Sequence, residues 1–488
     1  MKHCSTAQQR RAWMIQLLAS PGCHGLVSQL SREHHVARQT LYRWKQKAEQ
    51  ALQDIFIPAP KPVRSDGDLA REVLTLLVET HASYRQIQTC LQKLLGISLS
   101  VGKICRLVEQ AGERARAWLA RQQSTSARAL ALDEQFSSQR GEAYFNVVDV
   151  HSGQVWASYP PAAVEGESWM IVLWELQAQG VRYETTVSDG GHAIHEALKE
   201  LHQLDSHQRD VWHVFHQAAK VQGRVETLVQ HEEERLRTIT SYEQRKAAGQ
   251  RFSGRPPKTS RAEQCKTVEH LMHLWEAVAY LFRELHQLLD VVIVESTSAS
   301  GLMSVSRREA ELHTLVSLLF EVQQQAPASL QQDLGAMARL VELALPSLLH
   351  FAHGLEDRHQ QAVQALGGEA VQLLAWAWQR RQILGPDVQT LLQAVAPSWR
   401  STAQMLFESW AQAVRASSAV ENWHSILRPH LAVHRTLSAG LLALLAVWHN
   451  HRMAPRGPHA DRSPLQRSQA DQVETDWLTA LGYLPAAA

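Results

Sequence analysis

At 488 residues, with 45% hydrophobic and 20% charged residues, the chain is too long for one ordinary core and has the balance of a soluble protein of two to four structural units. Its five cysteines, Cys4, Cys23, Cys90, Cys105 and Cys265, form no C-x-x-C pair and no closely spaced even set. That argues against a disulfide framework or a zinc knuckle and fits a reducing cytosol. The N-terminus lacks an apolar signal core, and the longest apolar run, GLLALLAVW from Gly440, is too short to span a bilayer, so no membrane role is expected. The net charge of +1 hides an asymmetry: residues 1–128 hold 19 Lys/Arg against 9 Asp/Glu, which makes the N-terminal quarter about +10 and the remainder about −9. A basic head on a near-neutral chain suits a polyanion.

The first unit, residues 1–55, reads as helical. In GLVSQLSREHHVARQTLYRWKQKA a short helix, a turn near Glu33 to His35 and a second helix place Val36, Leu41 and Trp44 inward. Arg38, Gln39, Thr40, Arg43, Lys45 and Lys47 then lie mostly on the open face, where long polar arms suit major-groove reading and phosphate contact. A plain helical hairpin with a solvated face is the alternative. IPAPKPVRSDGD, from Ile57, reads as a Pro-rich linker. A second helix-turn-helix-like unit over 66–125 follows, with Ser100, Lys103 and Arg106 as its DNA contacts; a helical spacer domain would look similar.

From residue 127 the pattern changes. ARALALDEQF, GEAYFNVVDVHSG and QVWASYP read as an antiparallel meander. SWMIVLWELQAQG is a helix, YETTVSDGG a strand ending at Asp189, HAIHEALKELHQL a helix, and HQRDVWHVFHQAAKV a strand running into a helix. Three strands followed by alternating helix and strand predict a mixed sheet flanked by helices over 127–221. Residues 222–410 have helical periodicity and read as an all-helical insertion. Residues 411–453 return as helices that include Glu421, with an interruption expected at Pro429, and 454–488 form a basic, Pro-rich tail. The fold class is therefore α+β, mostly α.

Two acids end predicted strands: Asp133, and Asp189 before Gly190 and Gly191, which keep that mouth uncluttered. Ligands at the carboxyl edge of a sheet favour such positions. A third acid lies in SSAVENWHSILRPH, where Ser418 and Glu421 have the spacing of a capping box and Glu421 shares its helix face with His424 and Arg428. Glu134 would point to the opposite side of its strand from Asp133 and is a weaker ligand candidate. Asp149 reads as a turn former before Gly153, and Trp423, Val420 and Leu427 as core.

LALDEQF, TTVSDGG, DVWHVFH, SSAVENWHSILRPH and WHNHRMAPRGPHADRSPLQ, in this order behind helix-turn-helix segments, resemble a bacterial insertion-sequence transposase of the DDE type, with a ribonuclease H-like, retroviral-integrase fold. The resemblance covers roughly 1–220 and 410–470. It implies that Asp133, Asp189 and Glu421 are the catalytic acids and bind two divalent ions, Mg2+ or alternatively Mn2+. It implies double-stranded DNA as partner, both element ends and target, assembly as a homodimer or higher oligomer on DNA, and a bacterial cytoplasmic, nucleoid-associated location. Two hard cations about 4 Å apart suit carboxylate oxygens and serve phosphodiester cleavage and strand transfer. Asp210 and His213 resemble the Asp/Cys-x-x-His pair of several transposase groups; an N-cap Asp with a core-facing His is the other reading. His424 is expected to orient Glu421 or a water, and Arg428 to hold a DNA phosphate. Asp189 and Glu421 stand farther apart than in the compact integrase arrangement, which makes the helical region an insertion and leaves Glu295 and Glu408 as rival third acids. The other functions considered are a non-catalytic, domesticated DNA-binding regulator and a metal nuclease without strand transfer.

Overall fold

Apolar side chains at helical spacing build the first of two units, residues 1–69; the second spans 70–488. The structure, a computed structural model, describes residues 6–56, 66–121, 126–250, 255–384, 388–456, 459–468 and 476–484. Residues 57–65 of the expected linker, part of the SGRPPKTS loop and parts of the basic tail lie outside them.

In the first unit, α1 (Ala7–Ala19) opens on a capping box between Thr6 and Gln9. α2 (Leu26–His34) and α3 (Arg38–Phe56) are joined by the three residues His35, Val36 and Ala37, with His35 in the left-handed region at φ 52°. Trp13, Leu17, Leu30 and Leu41 form the small core, with Val36 and Trp44 packed against it. Arg38, Gln39, Arg43 and Lys47 are exposed, Thr40 and Lys45 half-buried.

The second unit begins within α4 (Asp66–Thr80), which α5 (Tyr84–Leu95) and α6 (Val101–Arg121) follow. Then come β1 (Ser126–Phe136), β2 (Glu142–Asp149), β3 (Val155–Ala163), α7 (Gly166–Ala178), β4 (Arg182–Ser188), α8 (His192–Glu200), β5 (His207–Arg209) and α9 (Val211–Ala247). The strands form one mixed sheet in the order β3-β2-β1-β4-β5. The first three pair antiparallel, and β4 and β5 continue in parallel with β1.

Alternation along β1 sorts its side chains between two cores. Leu130 and Leu132 join Trp169, Leu173, Ile194 and Leu198 of α7 and α8 on one face. On the other face Ala131, with Tyr144, Val148 and Val187, packs with α4, α5, α6 and two late helices, α18 and α19, whose ranges follow below. The segment expected as a separate 66–125 unit thus shares its core with the helix that carries Glu421.

α9 runs 37 residues without a break, so the end of the sheet region and the start of the insertion are one helix. Beyond it lie α10 (Arg261–Leu288), α11 (Val305–Gln325), α12 (Ala328–Leu348), α13 (His350–Leu366), α14 (Gly368–Gln379), α15 (Arg381–Leu384), α16 (Val388–Ala394) and α17 (Arg400–Ala411). They surround a core of their own, which α9 joins through Val211, Val214 and Val221. Gln208 of β5 ties this core to the sheet edge: its amide donates to Leu348 O at 3.1 Å and accepts from Phe351 N at 2.8 Å. That covers an edge strand which would otherwise present unpaired backbone.

α18 (Ser418–Val433) and α19 (Ala439–His451) complete the sheet's second face, and two short helices follow, α20 (Pro464–Ser468) and α21 (Trp477–Ala480). Gly112 lets α6 meet α19 backbone to backbone, because a Cβ there would stand 2.7 Å from Gly440 Cα. The interruption expected at Pro429 does not occur: α18 continues to Val433. Burial of Ile426, Leu427 and His430 around the proline outweighs the missing backbone donor, which costs on the order of 3 kcal/mol in a helix interior. Among the described residues no single helix is long and apolar enough to cross a membrane.

Candidate active site

Parallel pairing of β1 with β4 sets Ala131 beside Val187, so the two strands deliver Asp133 and Asp189 to the same sheet edge. α18 packs across β1 and β2 and adds Glu421 and His424. Asp133, Glu134 and Asp189 each offer a carboxylate oxygen within 4.8 Å of the others; Asp133, Glu421 and His424 do the same with two carboxylates and a ring nitrogen. Asp133 belongs to both groups. Asp189 and Glu421 are therefore related through it and do not share one set.

Glu134 is the surprise. Its side chain does leave β1 on the α7 side, where Oε1 accepts from Trp169 Nε1 at 2.7 Å. A glutamate is long enough to curl back, however, and its carboxylate reaches the strand end beside Asp189. Alternation assigns the face that a side chain leaves from, and length decides where the charge arrives.

Crowding acids at a half-buried edge has an electrostatic cost. The Asp133 carboxyl is pushed up to about 8, first by burial and then by Asp189, Glu134 and Glu421. Burial raises Glu134 as well, against the Trp169 hydrogen bond. Carboxyls kept from ionising by burial and by one another's charge are the donor set that a hard divalent cation stabilises.

The capping box does not form. Ser417, not Ser418, precedes the helix, and no side chain caps it. Glu421 instead accepts from Arg428 Nη2, two turns along, at 3.1 Å, with both side chains about half exposed. Glu408 accepts from Gln404, and Glu295 pairs with Arg307, both inside the helical insertion. Neither joins the acid groups.

Asp210 holds the site together from behind. Its backbone N–H donates to Ser188 O at 2.8 Å, next to Asp189. Its Oδ1 caps α9 by accepting from Trp212 N at 2.7 Å and His213 N at 3.2 Å. Its Oδ2 accepts from Ser417 N at 3.1 Å and Ser417 Oγ at 2.5 Å, at the entrance to α18. One buried carboxylate thereby links the Asp189 turn to the Glu421 helix across the whole insertion. His213 is half-buried, and its ring makes no hydrogen bond among the described residues.

Asn146, fully buried on β2 opposite Asp133, does the same from the sheet. Its Oδ1 accepts from Trp423 Nε1 at 2.9 Å and from Ser158 Oγ at 2.7 Å. The indole N–H can only donate and so fixes the amide, which makes Nδ2 the atom that faces His424 Nε2 at 3.2 Å. That nitrogen must accept, which puts the His424 proton on Nδ1, 3.7 Å from Asp133 Oδ2. His424 is neutral, with its pKa pushed down to about 4 chiefly by burial. With Nδ1 protonated, it faces Asp133 as a donor and not as a metal ligand.

Arg209, at the end of β5, is the remaining residue that the sequence reading omitted. It lies against Gly190 beside Asp189. Its signal was its place, directly before the Asp of DVWH. Of the expected second-unit contacts, Ser100 is exposed and its Oγ accepts from Lys103 N at 3.2 Å at the start of α6; Lys103 is half-buried and Arg106 exposed. Asp149 forms its turn, with Oδ1 accepting from His151 N, Ser152 N and Ser152 Oγ.

No curated protein matches the chain. Residues 59–289, which contain Asp133, Glu134, Asp189, Arg209 and Asp210 but stop short of Glu421, match the family model described as Transposase, Mutator family, which supports a transposase function and, with it, a DNA substrate.

Proposed function

We propose that the chain is a DDE-type DNA transposase with a ribonuclease H-like catalytic core. It binds the terminal inverted repeats of its element through the helix-turn-helix head and the basic segment up to residue 125, then cuts and rejoins DNA strands at Asp133, Asp189 and Glu421. The observation that carries this reading is the position of Asp133, which shares one acid group with Glu134 and Asp189 and another with Glu421. A carboxylate common to two neighbouring clusters is what a pair of divalent ions, Mg2+ or Mn2+, would require.

The donor set fits such ions. Asp133, Glu134, Asp189 and Glu421 would hold them. When bound, the ions would supply a nucleophile at neutral pH and screen the charge on phosphorus. The chain's own side chains do the rest. His424 keeps its Nδ1 proton toward Asp133 and orients that carboxylate. Asn146 and Asp210 set where α18 starts and how it is turned, and so where Glu421 points. Arg428 leaves Glu421 for a DNA phosphate as substrate enters. Assembly on paired ends as a dimer or larger complex belongs to the same proposal.

A labelled duplex carrying the DNA that flanks the coding sequence tests it, incubated with Mg2+ and resolved for cut and joined products. Cutting and joining by the wild type, lost in Asp189→Ala and Glu421→Gln, is the expected outcome. Undiminished cutting by either variant removes these acids from the chemistry. Cutting without joined product reduces the activity to that of a nuclease.

A further inference from the structure

We infer that Arg209 is the phosphate-holding cation of this site, donating to a non-bridging oxygen of the DNA strand that the acids act on; the inference rests on the reading of the site given above. Gly190 stands directly after Asp189. Its φ is +72°, and a Cβ there would lie 1.3 Å from Arg209 Nη1. The guanidinium thus occupies the space that any side chain at 190 would fill. At the next residue, a Cβ on Gly191 would stand 3.4 Å from Asp189 Oδ1 and 3.9 Å from Glu134 Oε2. The glycine pair serves two purposes: one member makes a bed for a cation, and the other leaves the acids open.

Asp189 and Asp210 act on this cation through space, but neither touches it. Among the described residues the Arg209 guanidinium makes no hydrogen bond and no ion pair, and its Nε is sealed from solvent without an acceptor. A guanidinium has five donors in a rigid fork, and leaving them unmade in a half-buried place is unfavourable. Of the two nearby carboxylates, Asp210 is fully engaged elsewhere and Asp189 in part. Both Asp210 oxygens are filled by Trp212 N, His213 N and Ser417, and Asp189 Oδ1 accepts from Gly191 N at 2.8 Å. No described residue fills the guanidinium fork, which leaves it open to a ligand. Beside acids that act on a phosphodiester, it is the phosphate itself, whose oxygens match the arginine fork.

A neutral phosphate linkage tests the contact. With the cut position mapped on wild type, a duplex bearing a methylphosphonate at that linkage is compared with the natural duplex, for binding in Ca2+ and for cleavage in Mg2+. Arg209→Ala and Arg209→Gln are expected to slow cleavage of the natural duplex by about 10²-fold or more, and Arg209→Lys to recover part of it. On the neutral duplex the wild type is expected to fall to the level of the variants, so that the difference in binding and rate disappears. A residue that only supports the Gly190 turn would give the same defect on both duplexes, and that result overturns the inference. So does an Arg209→Ala protein that cleaves like wild type. A wild type that cuts no DNA overturns the reading of the site and this inference with it; a cutting wild type with equal defects on both duplexes overturns the inference alone.

Discussion

On the sheet side of the acid cluster, the backbone does the positioning. Asp133 and Asp189 sit at the ends of adjacent parallel strands whose register runs from Ser126↔Arg182 to Ala131↔Val187, and no single side chain decides where they lie. On the helix side the arrangement is reversed. Glu421 returns to the site after the helical insertion of residues 222–410, and its helix is pinned by a few side chains: Asp210 on Ser417, and Asn146 on Trp423 and His424. Half of the site is held by a distributed ladder that tolerates substitution, and half by buried polar contacts where one lost partner strands another. An insertion between Asp189 and Glu421 is compatible with this plan because those contacts, and not chain connectivity, bring α18 home.

The largest effects are expected at the acids themselves. Asp133→Asn, Asp189→Asn and Glu421→Gln should each lower DNA cutting by on the order of 10³-fold, about 4 kcal/mol in barrier. Stability should move the other way at Asp133, whose buried carboxyl is disfavoured by three neighbouring acids. The metal-free Asp133→Asn protein is expected to melt higher than wild type, a trade of stability for function. A lower melting temperature in calorimetry would show that Asp133 has a structural role which the geometry does not suggest.

The next effect separates the two sides. Asp210→Ala should cost roughly 3 kcal/mol in denaturant unfolding, because it strands Ser417 and the first amides of α9. Hydrogen exchange should quicken at the start of α18 while β1 and β4 stay protected. Equal loosening of sheet and helix would mean that Asp210 is a general core residue and no hinge pin.

These side-chain pins mark where the sequence stops being legible. The three acids could be located because strand ends and a helix start leave local patterns: alternation through LALDEQF, the Gly-Gly pair after Asp189, and the polar first turn before Trp423. The meander, the mixed sheet and the helical insertion follow from the same periodicities; the strand order does not. Glu134 escaped because alternation fixes a face but not the reach of a flexible side chain. Asn146 escaped because its meaning lies in His424, 278 positions away, and nothing local distinguishes it from a polar residue on an exposed strand. The capping box was a sound local reading that lost to a tertiary one, since Arg428 takes Glu421 and Asp210 takes Ser417. Pro429 lost in the same way to the packing around it.

A smaller effect, set by pH, also differs between the sides. His430 of α18 and His449 of α19 are buried and neutral, their pKa values pushed down to about 4 chiefly by burial, with His81 and His434 adding to the effect at His430, and Arg452 and Arg467 opposing the Gly153 carbonyl at His449. The unfolded chain binds these protons near pH 6.5, so the stabilisation is fully present above that value and is lost as pH falls toward 4. Each histidine gives a slope of up to about 1.4 kcal/mol per pH unit inside this window. On the sheet side His207, between Thr186 and Ser188, is pushed lower, to about 3. Both sides should therefore loosen as pH falls from 6.5 toward 4, and below pH 4 only the sheet side should keep weakening, toward pH 3; exchange that levels off on both sides near pH 4 would contradict the comparison.

The smallest expected change in stability tests whether the helix side is already set for substrate. Arg428 and Glu421 pair at 3.1 Å with 57% and 48% of their side chains exposed, and such pairs contribute about 0–1 kcal/mol. Arg428→Ala should leave the unfolding curve within that margin. Its consequence appears with DNA: if Arg428 releases Glu421 to take a phosphate, the variant should bind DNA more weakly, and its binding should fall less steeply with salt by about one phosphate contact. An unchanged salt slope would confine Arg428 to holding Glu421. The helix side would then owe its DNA contact to other residues, and the site would depend more heavily on the cation that lies against Gly190.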